Sequence, residues 1–102
     1  MHFIPIRYAE FYDVPRVFAA EHDGSLYVFD CPFDEGADAY ATSYAIHCVR
    51  AQTLANTVSM SWSELVALGE PVGECKVADV RFDPTRRAGI DPSVFVRGLT
   101  SA

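Results

Sequence analysis

Two apolar runs, RVFAAE and LYVFDC, flank His22-Asp23-Gly24-Ser25 and make the strongest local pattern in the chain. Asp-Gly between alternating hydrophobics predicts a tight hairpin, because a type I′ turn needs φ > 0 at both central residues. With Asp23 and Gly24 as the loop, the register follows by counting outward. His22 faces Ser25, Glu21 faces Leu26, Ala20 faces Tyr27, Ala19 faces Val28, Phe18 faces Phe29 and Val17 faces Asp30. One face then carries Phe18, Ala20, Tyr27, Phe29 and Cys31. The other carries Val17, Ala19, Leu26 and Val28, with Glu21 and Asp30 toward its ends. A strand pair that is apolar on both faces belongs in the middle of a sheet covered on each side. A slip of one residue would exchange the faces, so the register is a definite expectation.

The remaining elements are read around this hairpin. Residues 2–12, HFIPIRYAEFY, predict a strand beginning near Phe3, and Pro5, which lacks an N–H, makes it an edge strand or leaves that side free. Asp13-Val14-Pro15 turns the chain into the hairpin. Beyond Cys31-Pro32, FDEGADAYAT reads as a surface loop, and SYAIHCVR (43–50) alternates as a third strand. AQTLANTV is ambiguous between a helical turn and a loop. Ser61 and Glu64 fit a capping box, and Trp62, Leu65, Val66 and Leu68 give an apolar stripe that Gly69 and Pro71 end. A helix over about 61–68 is too short to stand alone and must pack on the sheet. CKVADVRF (75–82) predicts a further strand, with Ala78, Val80 and Phe82 on one face. Asp91-Pro92 carries the N-cap and N1 signature of a short C-terminal helical turn over about 92–97. The expectation is a single α+β, mainly β domain over residues 1–102. Its strands form an antiparallel meander of about five, or curl into a small SH3-like barrel.

At FYDVPRVF and LYVFDCPFDE, and again at VADVRFDPTRRAGIDPSVF, the chain resembles a group of short, uncharacterised bacterial proteins. The resemblance implies a bacterial origin and a stand-alone domain. It implies no activity.

Charge changes the picture more than composition does. The net charge is −6, and residues 1–44 hold all of it, with eight acidic groups against Arg7 and Arg16. The same half holds ten of the thirteen aromatic residues. An acidic field repels phosphate backbones, which disfavours a general nucleic-acid binder and leaves a basic protein partner or self-association. Apolar stretches fall far short of the ~20 residues that cross a bilayer, and the N-terminus lacks a signal-peptide pattern, so a cytoplasmic location is expected. Cys31, Cys48 and Cys75 are widely spaced with apolar neighbours. They read as free core cysteines, with neither a zinc nor a thioredoxin spacing.

Four groups of residues invite chemistry, and each has an ordinary explanation. Asp30, Asp34, Glu35 and Asp38 are rich in hard oxygen ligands but match no EF-hand spacing, and a solvated loop accounts for them. Cys31 and His47 would make a thiolate–imidazole pair if their strands were neighbours, although Cys31 falls on the core-like Phe18 face. Lys76, Arg81, Arg86 and Arg87 form the only basic concentration, without a glycine-rich phosphate loop. Tyr8, Phe11, Tyr12, Phe33, Tyr40 and Tyr44 exceed what the hairpin core needs and would fill the two sides of a small sheet, while Tyr12, Phe33 and Tyr40 would make an interaction patch if exposed near the acidic loop. No cofactor, metal or catalytic group is called for. The preferred reading is a non-enzymatic protein-binding or regulatory module using Tyr12, Phe33, Asp34, Glu35, Asp38 and Tyr40, with aromatics as anchors and carboxylates steering basic groups. Homodimerisation through the Pro5 strand edge is a variant. The alternative is a small enzyme or ligand-binding barrel with a pocket near Cys31 and His47.

Overall fold

The Asp23-Gly24 turn forms as the pattern requires, with φ of 53° at Asp23 and 81° at Gly24. In the computed structural model, which describes residues 3–12, 14–50, 52–85 and 88–97, it joins β2 (Val14–His22) to β3 (Ser25–Asp30). All six expected pairs, from His22 with Ser25 to Val17 with Asp30, are in register. The architecture is mainly β, and its strands pair antiparallel throughout. The main sheet adds β1 (Ile4–Tyr12), β6 (Ser43–Val49), β7 (Glu70–Lys76) and β8 (Gly89–Ile90) in the order β7-β6-β3-β2-β1-β8. The hairpin is therefore its centre. β1, β2, β3, β6 and β7 follow one another as an open meander, and β8 crosses back to the far edge beside β1. A separate two-stranded ribbon, β4 (Phe33–Asp34) with β5 (Ala39–Tyr40), leaves the sheet between β3 and β6.

Both faces of the hairpin are covered, by different parts of the chain. On one, Phe18, Ala20, Phe29, Cys31, Tyr44 and Ile46 pack beneath Val80, Ile90, Val94 and Phe95. Phe18 stacks on Phe29 with ring centroids 4.5 Å apart, and Tyr44 meets Phe18 edge-on at 5.2 Å. The Tyr44 hydroxyl donates to the Pro15 carbonyl at 2.6 Å, which satisfies a buried polar pair and ties β6 to the start of β2. Burial raises the Tyr44 pKa, so the phenol stays protonated and keeps donating. On the other face, Val17, Ala19, Leu26, Val28 and Val49 lie beneath Leu65 of α1 (Trp62–Leu68). Ser61 and Glu64 form the reciprocal capping box, and Gly69 ends the helix. Gly69 leaves no room for a side chain, since a Cβ there would lie 2.7 Å from the His47 Cβ.

Several expectations are corrected. The last long strand spans Glu70–Lys76, not 75–82, because the chain reaches its slot beside β6 directly after α1. At Val77 the backbone N–H turns to bond the Thr42 carbonyl, and residues 77–79 form a 3-10 turn in place of more ladder. The Pro5 edge is not free for dimerisation, since Ile4 and Pro5 pair with Ile90 and Gly89 of β8. At the opposite edge, β7 carries exposed Glu70, Pro71, Glu74 and Lys76, with Val72 bulged out of register. Charges, a proline and a bulge are the usual protection against edge-to-edge pairing. The ambiguous AQTLANTV stretch holds a 3-10 helix, Ala55–Ser59, and the C-terminal turn forms α2 (Val94–Arg97), with Asp91 accepting from the Ser93 N–H.

Two substitutions separate the contributions. Phe18→Ala removes a fully buried ring and is expected to cost about 3–5 kcal/mol. Tyr44→Phe keeps the ring but strands the Pro15 carbonyl, at about 1–2 kcal/mol. Equilibrium urea unfolding measures both, and equal losses would contradict the assignment of the main energy to packing.

Candidate functional site

The β4–β5 ribbon is where the sequence-predicted site residues gather. Asp34 builds its turn, because its Oδ1 accepts from the backbone N–H groups of Gly36 and Ala37 at 3.0 and 3.3 Å. Asp38 closes it with φ of 53°, a left-handed conformation that Asp tolerates better than most residues. The pairing sets Phe33 opposite Tyr40, and their rings meet edge-to-face at 5.0 Å. Tyr40 is half-buried, with the Arg16 guanidinium 4.5 Å over its ring, whereas Phe33 stays 47 % exposed. Beside the ribbon runs an open groove of about 880 Å³ lined by Arg16, Phe33, Tyr40, Ala41, Val77 and Ala78 among others. Asp38 lines the same groove, and Asp34 and Glu35 are exposed on the ribbon.

Five of the six predicted residues, Phe33, Asp34, Glu35, Asp38 and Tyr40, therefore lie on one small ribbon. The Tyr12 side chain lies outside the described residues, as do Arg86 and Arg87 of the basic group. Asp30 does not join Asp34, Glu35 and Asp38, because β3 aims it at the opposite face of the sheet, beside Val17. Among the described residues no three His, Cys, Asp or Glu side chains converge to hold a metal ion.

The Cys31–His47 pocket is corrected by the pleat. Cys31 is buried on the Phe18 face, where its Sγ donates to the Ala41 carbonyl at 3.0 Å and Arg16 approaches it at 3.6 Å. His47 alternates with Ile46 and Cys48 onto the α1 face, under Gly69. The sheet separates the two, so they form no dyad. Cys75 is also buried. Burial and the nearby Asp79 and Glu74 carboxylates raise its thiol to about 11, so it stays unreactive near neutral pH.

Sequence reasoning missed a second concavity, on the α1 face. A cleft of about 540 Å³ opens between the sheet and one flank of α1, lined by Glu10, Val17, Asp30, Trp62, Ser63, Val66 and Ala67. Asp30 lies in it because its inward position on β3 is filled by a carboxylate where a neighbouring strand has Val17. Burial pushes its pKa up, against an opposing pull from His47. Glu10 reaches the same wall through a backbone irregularity. Strict alternation would send it to the Phe18 face, but its φ is 54° and the β1–β2 ladder omits the Glu10–Arg16 pair. The only signal in the sequence was Asp30 itself, which with Glu21 puts a charge at the ends of an otherwise apolar hairpin face.

Among the described residues no helix is long and apolar enough to cross a membrane. The raised pKa of Asp30 makes the folded state hold its proton longer than the unfolded chain, so stability falls as pH rises through that pKa. Asp30→Asn is therefore expected to raise the melting temperature at pH 7 by roughly 2–4 °C. The gain should vanish at about pH 3, below the ordinary carboxylate pKa, where both states are protonated. Differential scanning calorimetry at the two pH values checks this, and a destabilised variant at pH 7 contradicts it. Comparison with protein-family models, curated proteins and solved structures gives no match to this chain, so these two concavities are weighed on their own geometry.

Proposed function

We propose that the protein is a non-enzymatic binding module that holds a basic segment of a partner protein along the β4–β5 ribbon. One observation carries the reading. Phe33 presents nearly half of its surface to solvent, braced edge-on by Tyr40 at the mouth of an open groove. A rigid aromatic beside an apolar recess is the form an interface anchor takes, because it buries area at little entropic cost. Asp34, Glu35 and Asp38 surround it with negative charge, which speeds encounter with a basic surface and rejects acidic ones. Arg16, in the groove wall over the Tyr40 ring, offsets one of these three charges and leaves the rim net negative. Apolar residues Ala41, Val77 and Ala78 supply the recess for a side chain flanked by Lys or Arg.

The cleanest test separates anchor from scaffold. Phe33→Ala removes only a half-exposed ring and is expected to change stability by less than about 1 kcal/mol. Tyr40→Ala costs more, since Tyr40 also packs against the Phe18-face core. Quantitative affinity purification then compares wild type with Phe33→Ala and with the double variant Glu35→Lys, Asp38→Lys. The reading expects a basic protein retained by wild type, lost from both variants and eluted by salt. The same set of proteins captured by all three would overturn it.

A further inference from the structure

The cleft beside α1 is separate from the ribbon, because it opens on the other face of the sheet. We infer that this cleft is a binding site for a small organic cation, an ammonium group carried on an apolar body. Its volume of about 540 Å³ suits a small molecule, which generally takes a largely apolar concavity with a few placed polar groups. Val17, Val66, Ala67 and the Trp62 ring provide the apolar walls, and Glu10, Asp30 and Ser63 provide the polar ones.

The charge balance chooses among ligands. Two carboxylates line the cleft and no cationic side chain lines it among the described residues. Arg7 does not line the cleft: its guanidinium donates to the Thr57 carbonyl and lies 4.9 Å over the Trp62 ring. No hydrogen-bond donor reaches the Asp30 carboxylate among the described residues, and its charged form is penalised by burial. A ligand that recovers that penalty must bring a positive charge or strong donors. His47 offsets only part of that penalty, and a neutral alcohol brings no charge to offset the rest. A hard metal ion fits poorly too, since Ca²⁺ seeks 6–8 oxygens and the remaining walls are hydrocarbon and indole. An alkylammonium satisfies both halves of the cleft. Its N–H groups donate to Glu10 and Asp30 while its body lies against Val66 and Trp62.

A functional role also accounts for two local costs. A half-buried carboxylate ends a central strand on its aliphatic face, and Glu10 adopts a left-handed backbone that non-glycine residues disfavour. Such departures from what the fold alone favours concentrate where a chain binds something.

Trp62 is the only tryptophan, so its fluorescence reads occupancy directly. The intact protein at neutral pH and low salt is titrated with phenethylamine, 2-phenylethanol, 3-phenylpropanoate and calcium chloride, at matched ionic strength. The inference expects a saturable change with phenethylamine alone. Asp30→Asn should weaken it by about tenfold or more while the protein stays folded. Ala67→Phe, at an exposed helix position on the cleft wall, should abolish it by filling the space. Phe33→Ala, on the other face, should leave it unchanged. Equal response to the alcohol or to the carboxylate, a full response to calcium, or unaltered affinity in Asp30→Asn would each overturn the inference. Loss of the response in Phe33→Ala would place the ligand at the ribbon and overturn it as well.

Discussion

The register of the Asp23-Gly24 hairpin is the constraint on which everything else in this fold depends. Side chains alternate across a strand, so one choice of turn decides the face of every residue from Val17 to Asp30. It puts Phe18 on Phe29 and Ala19 on Val28, leaving two apolar surfaces back to back. Neither can remain in water. The rest of the chain supplies two covers, Val77, Val80, Phe82, Val94 and Phe95 over the aromatic face and residues 54–66 over the aliphatic one.

The two concavities follow from how imperfectly those covers fit. The ribbon β4–β5 swings off the Phe18 face at Cys31-Pro32 and leaves a groove against Val77 and Ala78. The short helix α1 seats Leu65 over the aliphatic core, Val17 included, and leaves its flank open beside Glu10 and Asp30, which makes the cleft. Cys31 and Asp30 are adjacent in sequence and belong to opposite sides. That single alternation divides the chemistry of the molecule, and it is the same reason Cys31 and His47 never meet.

Features governed by local physics were legible in the sequence. The I′ turn, the Ser61–Glu64 capping box and the Asp91-Pro92 turn each need only a few neighbouring residues, and each formed where the residues stand. The clustering of Phe33, Asp34, Glu35, Asp38 and Tyr40 was legible for the same reason, since they are close in sequence. Features governed by distant partners were not. Gly89 and Ile90 carry no strand signal, yet they pair with Ile4 and Pro5 at the edge of β1 that β2 leaves unpaired. The strand expected at 75–82 moved to Glu70–Lys76 because the slot beside β6 lies directly after the helix. The cleft needed the left-handed backbone at Glu10, which alternation cannot anticipate.

Amide hydrogen exchange, followed residue by residue, tests the central claim most directly. If the two-faced hairpin holds the fold together, the slowest amides lie in β2, β3 and β6, those of Ala19, Ala20, Val28 and Phe29 among them, and exchange only through global unfolding. The β4–β5 ribbon and α1 should exchange through local opening, at least about a hundredfold faster. Strongest protection in α1 or β7, with fast exchange at Ala19 and Val28, would contradict the account.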